Sequence, residues 1–346
     1  MMPRAVLVTG GSGFLGGHVA RRLHDAGVAV RVLDVEMSTL ASGANVEVVR
    51  GDVRDPRAVA EAMEDMDAVI HAAAASPRQT PPVIEQVNVE GTRNICEQAR
   101  RHGVHRLVLV SSTIVTRRPR VHPFFAGSPL TRLDLYRRSR VAAEAVVTEY
   151  GAREMSTAIA RPKTFVGPGR IGAFAIVFEW IRTGRPIIVL GSGRNRYQLL
   201  DTRDMADGLA RLAASDAGGV FSFGADDVRS VREDLTTLLE HAGTGARLRH
   251  VPAPLARLML RGMEYASMVP ASEWHAMTAA GLDSIVDCSH AATELGWRPA
   301  RSNAQALIEA YDWYVATVRA TGSASTTHPV PLVHRALKRV ARLVPW

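Results

Sequence analysis

Along the first half of the chain, short apolar runs alternate with stretches of helical period. "AVLVTG" reads as a buried strand. A glycine loop comes next, then "FLGGHVARRLHDAG", apolar at helical spacing and closed by Gly27 as a C-cap. "VAVRVLD" predicts a second strand and "VEVVRGDV" a third. The helix in "DPRAVAEAM" begins with Asp55 as N-cap and Pro56 at its first position. "DAVIHAAA" is a fourth strand, "VEGTRNICEQARRHG" a helix ending at Gly103, and "RLVLVSS" a fifth strand. Repeated strand–helix units predict a parallel sheet with helices on both faces. Right-handed crossovers make it doubly wound.

The alternation loosens after about residue 165. "FAIVFEWIRTG" and "REDLTTLLEHAG" predict helices, "RPIIVLGSG" a strand and turn, and "AATELGWRPA" a short helix stopped before a proline. The expected class is α/β: a doubly wound parallel sheet with a smaller mixed α/β substrate lobe. Residues 1–165 form the nucleotide-binding domain, whose sheet is completed by about 197–223. Residues 166–320 are mainly the substrate lobe, and 321–346 a linker and tail. The linker, "TGSASTTHPVP", is polar and punctuated by proline. The tail, "PLVHRALKRVARLVPW", places Leu332, Val333, Ala336, Leu337, Val340 and Val344 on one helical face, with basic residues largely opposite. Such a helix docks on its own protein or a partner, the favoured reading, or lies weakly on an anionic membrane surface.

Composition adds few constraints. A 346-residue chain with 47% hydrophobic and 22% charged residues can bury a sizeable core. Its net charge is +8, supplied almost wholly by arginine. Scattered arginines fit a GC-biased genome better than a nucleic-acid surface, so no nucleic-acid partner is expected. Cys96 and Cys288 lie far apart in no metal-ligand spacing, which predicts neither disulfide nor metal. No long apolar run and no signal-peptide pattern is present, so a cytoplasmic location is expected.

The glycine loop carries the first chemistry. In "VLVTGGSGFLGGHVA", Gly10, Gly13 and Gly16 come after a strand and open a helix. That order suits a Rossmann-type dinucleotide site: glycines admit a pyrophosphate, and the helix N-terminus supplies amide groups and positive dipole. Asp34 ends the second strand, eighteen positions after Gly16. An acid there accepts from both adenosine ribose hydroxyls and repels a 2′-phosphate, which favours NAD over NADP. Asp52, after the third strand, could meet the adenine edge or serve as a turn or cap residue.

Tyr136 and Arg140 are four residues apart in "LYRRSRVAAEAVV". At that spacing two side chains share one helix face. A tyrosine with a free pKa of about 10 is a poor base at neutral pH, and a fixed cation beside it favours the phenolate. Ser112, at the end of the fifth strand, reaches the crevice where open α/β sheets bind ligands.

The pieces "TGGSGFLG", "RGDV", "HAAA", "NVEGTRN", "VSST", "YRRSR", "RPKTFVGPG" and "ELGWRP" occur in this order over about residues 5–300. Together they resemble the extended short-chain dehydrogenase/reductase family, which includes epimerases, dehydratases and 3β-hydroxysteroid-dehydrogenase-like enzymes. The resemblance implies NAD as cofactor. It implies Ser112 as the hydroxyl that hydrogen-bonds the reacting oxygen and Tyr136 as acid/base. Arg140 stands where the family has lysine. Thr9, Gly10, Gly13, Phe14, Leu15, Gly16, Asp34, Asp52, Val53, Ala72, Ala73 and Ala74 would line the cofactor, with Tyr136 and Arg140. Asn88 matches a structural asparagine. A homodimer built through the helices flanking the sheet is a further implication.

The two residues after Ser112 narrow the reaction. Thr113 and Ile114 stand where a 4,6-dehydratase has an acid pair, which disfavours elimination. A redox epimerase or an alcohol dehydrogenase/ketoreductase remains. Its expected substrate is a small molecule with a sugar-like, aminosugar or cyclitol hydroxyl. The alternatives are a 3β-hydroxysteroid-dehydrogenase-like reductase of an apolar substrate and a non-catalytic NAD(H)-sensing module. Thr113, Arg196 and the loop "TRRPRVHPFFAGSPLTRLDL" are expected to meet substrate, Arg196 as the match to a phosphate-binding arginine. A second such arginine, expected near "GLDSIVD", is absent. Asp204 is expected to cap the helix after Arg196; Tyr265, Trp274 and His275 are candidate wall residues, with core packing the favoured role for the aromatics.

Overall fold

The computed structural model describes residues 2–37, 46–77, 79–116, 122–131, 134–152, 155–169, 174–252 and 282–321. The chain divides into two compact units. The first comprises Met1–Thr164, Leu200–Asp226 and Val286–Ala300; the second comprises Phe165–Leu199, Asp227–Ile285 and Arg301–Trp346.

The first unit is built on seven strands. β1 (Ala5–Thr9), β2 (Ala29–Asp34), β3 (Val46–Arg50), β4 (Ala68–His71), β5 (Arg106–Val110) and β6 (Ser156–Pro162) are joined by the strand Gly219–Phe223. Their order is Gly219–Phe223, β6, β5, β4, β1, β2, β3, and every neighbouring pair is parallel. The order reverses between β1 and β4, which opens a crevice beyond their carboxyl ends. All four residues of β4 and all five of β5 are buried. Their continuous apolar runs are the mark of strands covered on both faces.

The helices are α1 (Phe14–Asp25), α2 (Pro56–Met63), α3 (Pro81–Glu85), α4 (Gly91–Arg101) and α5 (Leu135–Gly151). A π turn, Gln86–Glu90, joins α3 to α4. Asp55 caps α2 by accepting from the Arg57 amide, with Pro56 at the first position. Ala26 ends α1, and Gly27 comes next with φ +78°. Helices α2, α4 and α5 cover one face of the sheet through Val59, Met63, Ile95, Ala143 and Val147.

The return of chain to this unit goes beyond the sequence division at 165. Phe223, on the edge strand, packs edge-on against Trp297 with ring centroids 4.9 Å apart. The Trp297 indole donates to the Asp204 carbonyl at 3.0 Å. Asp204 is not the cap of its helix, Thr202–Ala213. Asp201 is, because its carboxylate accepts from the Arg203 amide at 2.8 Å.

The second unit contains a parallel strand pair, Ile187–Leu190 with Leu248–Val251. The helices Phe174–Arg182 and Asn303–Thr321 contribute an aromatic core of Phe178, Trp180, Tyr311 and Tyr314, to which Val231–Ala242 adds Leu238. Among the described residues no helix is long and apolar enough to cross a membrane. Tyr265, Trp274, His275 and the basic tail lie outside the described residues.

Candidate active site

The glycine loop has a shape that side chains would destroy. Gly10 has φ +72°, and a Cβ there would lie 2.7 Å from the Ala73 nitrogen. A Cβ on Gly16 would lie 2.2 Å from the Gly10 carbonyl oxygen. Gly13 stands at the N-cap of α1 with extended backbone and makes no side-chain cap, where the helix opens at Phe14 and Leu15. The Asp34 carboxylate accepts from the Ser12 amide at 2.9 Å and the Glu36 amide at 3.2 Å. Two such bonds leave acceptor capacity for a ribose diol. Ala72 and Ala73 donate their amides to the Thr9 carbonyl and hydroxyl at 3.2 and 3.3 Å, which closes the ends of β1 and β4 together; Ala74 is next in the same turn. The open cradle, the helix N-terminus and the acid fit a dinucleotide.

Asp52 is engaged elsewhere. Its carboxylate accepts from the Arg54 amide at 2.9 Å and pairs with the Arg54 guanidinium at 2.6 Å, which holds its pKa below the usual range. Val53 is buried beneath Gly91, where a Cβ would meet it at 2.7 Å.

Ser112 sits just past β5 and caps a single 3₁₀ turn, Thr113–Val115, by accepting from the Ile114 amide at 3.2 Å. Its hydroxyl proton therefore remains to be donated. Tyr136 lies in the first turn of α5, which Asp134 caps by accepting from the Arg137 amide at 2.8 Å. Arg137 is buried and donates Nε to the Ile114 carbonyl at 3.2 Å, so the Tyr136 helix and the Ser112 turn are tied directly. Arg140 comes one turn later and is 3% exposed. Its Nη2 donates to the Val110 carbonyl, the last of β5. Its Nε is buried without a hydrogen-bond partner.

A buried relay of hydrogen bonds backs these groups. The Thr92 hydroxyl donates to the Asn88 carbonyl at 2.7 Å, so it accepts from His71 Nε2 at 3.1 Å. His71 Nδ1 must then accept from the Thr9 hydroxyl at 2.7 Å. The relay holds His71 neutral, and burial followed by the Arg140 charge lowers its pKa to about 3. Asn88, in the π turn, accepts from the Ala75 amide at 2.8 Å and donates to Ser139 Oγ at 3.0 Å. Ser139 in turn donates to the Tyr136 carbonyl at 2.8 Å. The cofactor loop and the Tyr136 backbone are thus one hydrogen-bonded body. His71, Thr92 and Ser139 do not stand out in the sequence; only the motifs around them carry a signal.

The profile of the NAD dependent epimerase/dehydratase family matches residues 6–224. The chain belongs to that family. It is an NAD-dependent enzyme of the extended short-chain dehydrogenase/reductase type. Protein y4nG of Sinorhizobium fredii is 32% identical and matches 99% of this chain over 87% of its own length. The 3 beta-hydroxysteroid dehydrogenase/Delta 5-->4-isomerase of Mycobacterium tuberculosis is 27% identical, with 94% and 96% covered. The 2-alkyl-3-oxoalkanoate reductase of Stenotrophomonas maltophilia is 31% identical, with 69% and 76% covered. The epimerase Mth375 of Methanothermobacter thermautotrophicus shares the fold at TM-score 0.76 and 22% identity, with 93% and 95% covered.

In this family member two residues expected at the substrate are engaged otherwise. Thr113 donates its hydroxyl to the Pro162 carbonyl at 3.1 Å and holds the ends of β5 and β6 together. Arg196, in the second unit, lies 3.6 Å from the Asp283 carboxylate, which also accepts from the Arg196 amide at 2.7 Å. Asp283 belongs to "GLDSIVD", the stretch where a second phosphate-binding arginine was expected.

Proposed function

We propose that the protein is an NAD(H)-dependent alcohol dehydrogenase or ketoreductase whose substrate carries a secondary hydroxyl or ketone on an apolar body. The observation that carries the reaction is the assembly at the end of β5. Ser112 retains a donatable proton, Tyr136 stands in the tied helix, and the Arg140 cation is fixed at the same strand end. Ser112 donates to the substrate oxygen and orients it. Tyr136 takes the hydroxyl proton as the carbonyl forms, and returns it in the reverse direction. The chemistry bound NAD would supply is that of an acceptor for the hydride lost from the hydroxyl-bearing carbon. The buried Arg140 Nε is the donor a nicotinamide ribose would take. Arg140 also keeps a permanent positive charge one helical turn after Tyr136.

The substrate class is supported by Arg196. A carboxylate stands against the cation that a sugar nucleotide would need, which weakens diphosphate binding there. The activities named for the Mycobacterium and Stenotrophomonas relatives, on hydroxysteroids and oxoalkanoates, point the same way.

The test is nicotinamide absorbance with NAD and a panel of a 3β-hydroxysteroid, a 2-alkyl-3-hydroxyalkanoate, a polyol and an aminosugar. NADH is expected with the apolar alcohols, and Tyr136→Phe should lower kcat at least about 100-fold. A changed stereocentre without net NADH would make the enzyme a redox epimerase of a sugar-like hydroxyl. Turnover of no panel member would sink the proposal.

A further inference from the structure

Two adjacent phenylalanines between Ser112 and Tyr136 have opposite fates. Phe124 is 6% exposed and Phe125 61%. Phe124 is held from three sides. Its backbone bridges Val286, its carbonyl accepts from the Asp287 amide at 2.8 Å, and the Lys163 ammonium lies 5.8 Å from its ring centroid. Two residues before Lys163, Arg161 donates Nη1 to the Ala126 carbonyl at 2.8 Å. Its Nε and Nη2 grip the two Glu144 oxygens at 2.9 and 2.6 Å. Glu144 lies on α5 two turns after Tyr136, and both side chains of the pair are 5% exposed.

The far end of the same loop is also fixed. Thr131 donates its amide to the Val115 carbonyl at 2.7 Å, and Leu130 bridges Thr116. Residues 124–131 are therefore attached to the Ser112 turn, to β6, and through Glu144 to the Tyr136 helix. Within this frame Phe125 is pinned. Its amide donates to Ser128 Oγ at 3.2 Å, and its carbonyl accepts from the Ser128 amide at 2.9 Å. A Cβ on Gly127 would lie 3.0 Å from the ring, so the ring rests over that glycine. Leu130, 42% exposed, is in the same loop. A large apolar ring held open on fixed backbone gains on ligand contact and loses little ordering entropy.

We infer that Phe125 is a specificity-determining contact for the apolar, non-reacting body of the substrate, and that Arg161–Glu144 is the positioning pair that sets it relative to Tyr136. The inference rests on the redox reading above and adds the recognition element to it.

The experiment has two arms. Phe125→Ala and Phe125→Leu are assayed with NAD and either dehydroepiandrosterone or a long-chain 2-alkyl-3-hydroxyalkanoate. Phe125→Ala should raise KM for these alcohols about tenfold, with the KM for NAD unmoved and most of the loss recovered in Phe125→Leu. An active enzyme whose alcohol KM is the same in Phe125→Ala overturns the contact. The second arm is hydrogen exchange in Arg161→Lys, which keeps the charge but not the fork. Amides of 124–131 should exchange at least about tenfold faster while those of α5 stay protected; equal exchange overturns the positioning role. Lys163→Met removes the cation over Phe124 and gives the same readout if Arg161→Lys does not fold. Exchange needs no substrate, so it decides the positioning role even where no alcohol is oxidised. That outcome would sink the redox reading, whereas indifference to Phe125 in an active enzyme sinks this one.

Discussion

Under the proposed mechanism, Arg140 keeps the role of a cation while changing its geometry. A lysine at this position is a mobile point charge; arginine is a fork that must satisfy several donors. Here the fork is anchored on the Val110 carbonyl, so its charge is fixed to β5 and not to the helix alone. In the proposed mechanism, that anchoring is what would hold the bulkier cation for Tyr136. Arg140→Ala removes the charge and leaves the Val110 carbonyl unpaired in a buried place. We expect kcat to fall at least about 100-fold in this variant. Arg140→Lys restores a cation without the anchor and should retain activity within about tenfold of wild type. Steady-state kinetics on both variants checks this; full activity in Arg140→Ala would remove Arg140 from the mechanism.

At the scale of elements, the glycine loop and the strand–helix alternation were legible because they arise from local rules. Buried strands must be apolar on both faces, and a pyrophosphate cradle excludes Cβ atoms. The adjacent glycines of α1 make a sharp test of that geometry. A Cβ on Gly16 would strike the Gly10 carbonyl at 2.2 Å, whereas on Gly17 its nearest contact is the Gly11 carbonyl at 3.6 Å. Gly16→Ala should weaken NADH binding at least about tenfold and cost about 1–3 kcal/mol of stability. Gly17→Ala should bind normally and gain up to about 1 kcal/mol, as alanine does inside a helix. Fluorescence titration with NADH and thermal melting measure both, and equal behaviour of the two variants would show that close packing at Gly16 is not the constraint.

What the sequence hid at this scale were the partners of its arginines. In "YRRSR", Arg137 ties two elements and Arg140 anchors on a carbonyl, yet the letters are identical. Arg161 and Arg106 are likewise buried, Arg106 through three bonds to Leu212, Ser156 and Ala217. Charge counts read such residues as surface; only tertiary contacts reveal them as struts. The displaced cap at Asp201 has a related cause, since two acids three residues apart both suit a helix start.

At the scale of the whole first unit, a buried neutral histidine couples folding to pH. His71 joins β1, β4 and the α4 helix through Thr9 and Thr92, so unfolding must release it to water. In the unfolded chain an imidazole gains its proton near the ordinary value of 6.5, whereas the buried ring refuses it until about 3. Between these values the unfolded state binds more protons. The stabilisation is therefore complete above pH 6.5 and is lost as pH falls, approaching about 1.4 kcal/mol per unit. Carboxylates held low by arginines, such as Glu97, add their own loss only below about 4.5, outside the upper part of this window. His71→Gln keeps an acceptor for Thr9 and a donor for Thr92 but does not titrate. Urea unfolding without added NAD should show wild type losing about 2 kcal/mol more than His71→Gln between pH 7 and pH 5. Parallel curves for the two proteins would mean that the ring is protonated as readily in the fold as outside it, and that the direction of the Thr9–His71–Thr92 relay is wrong.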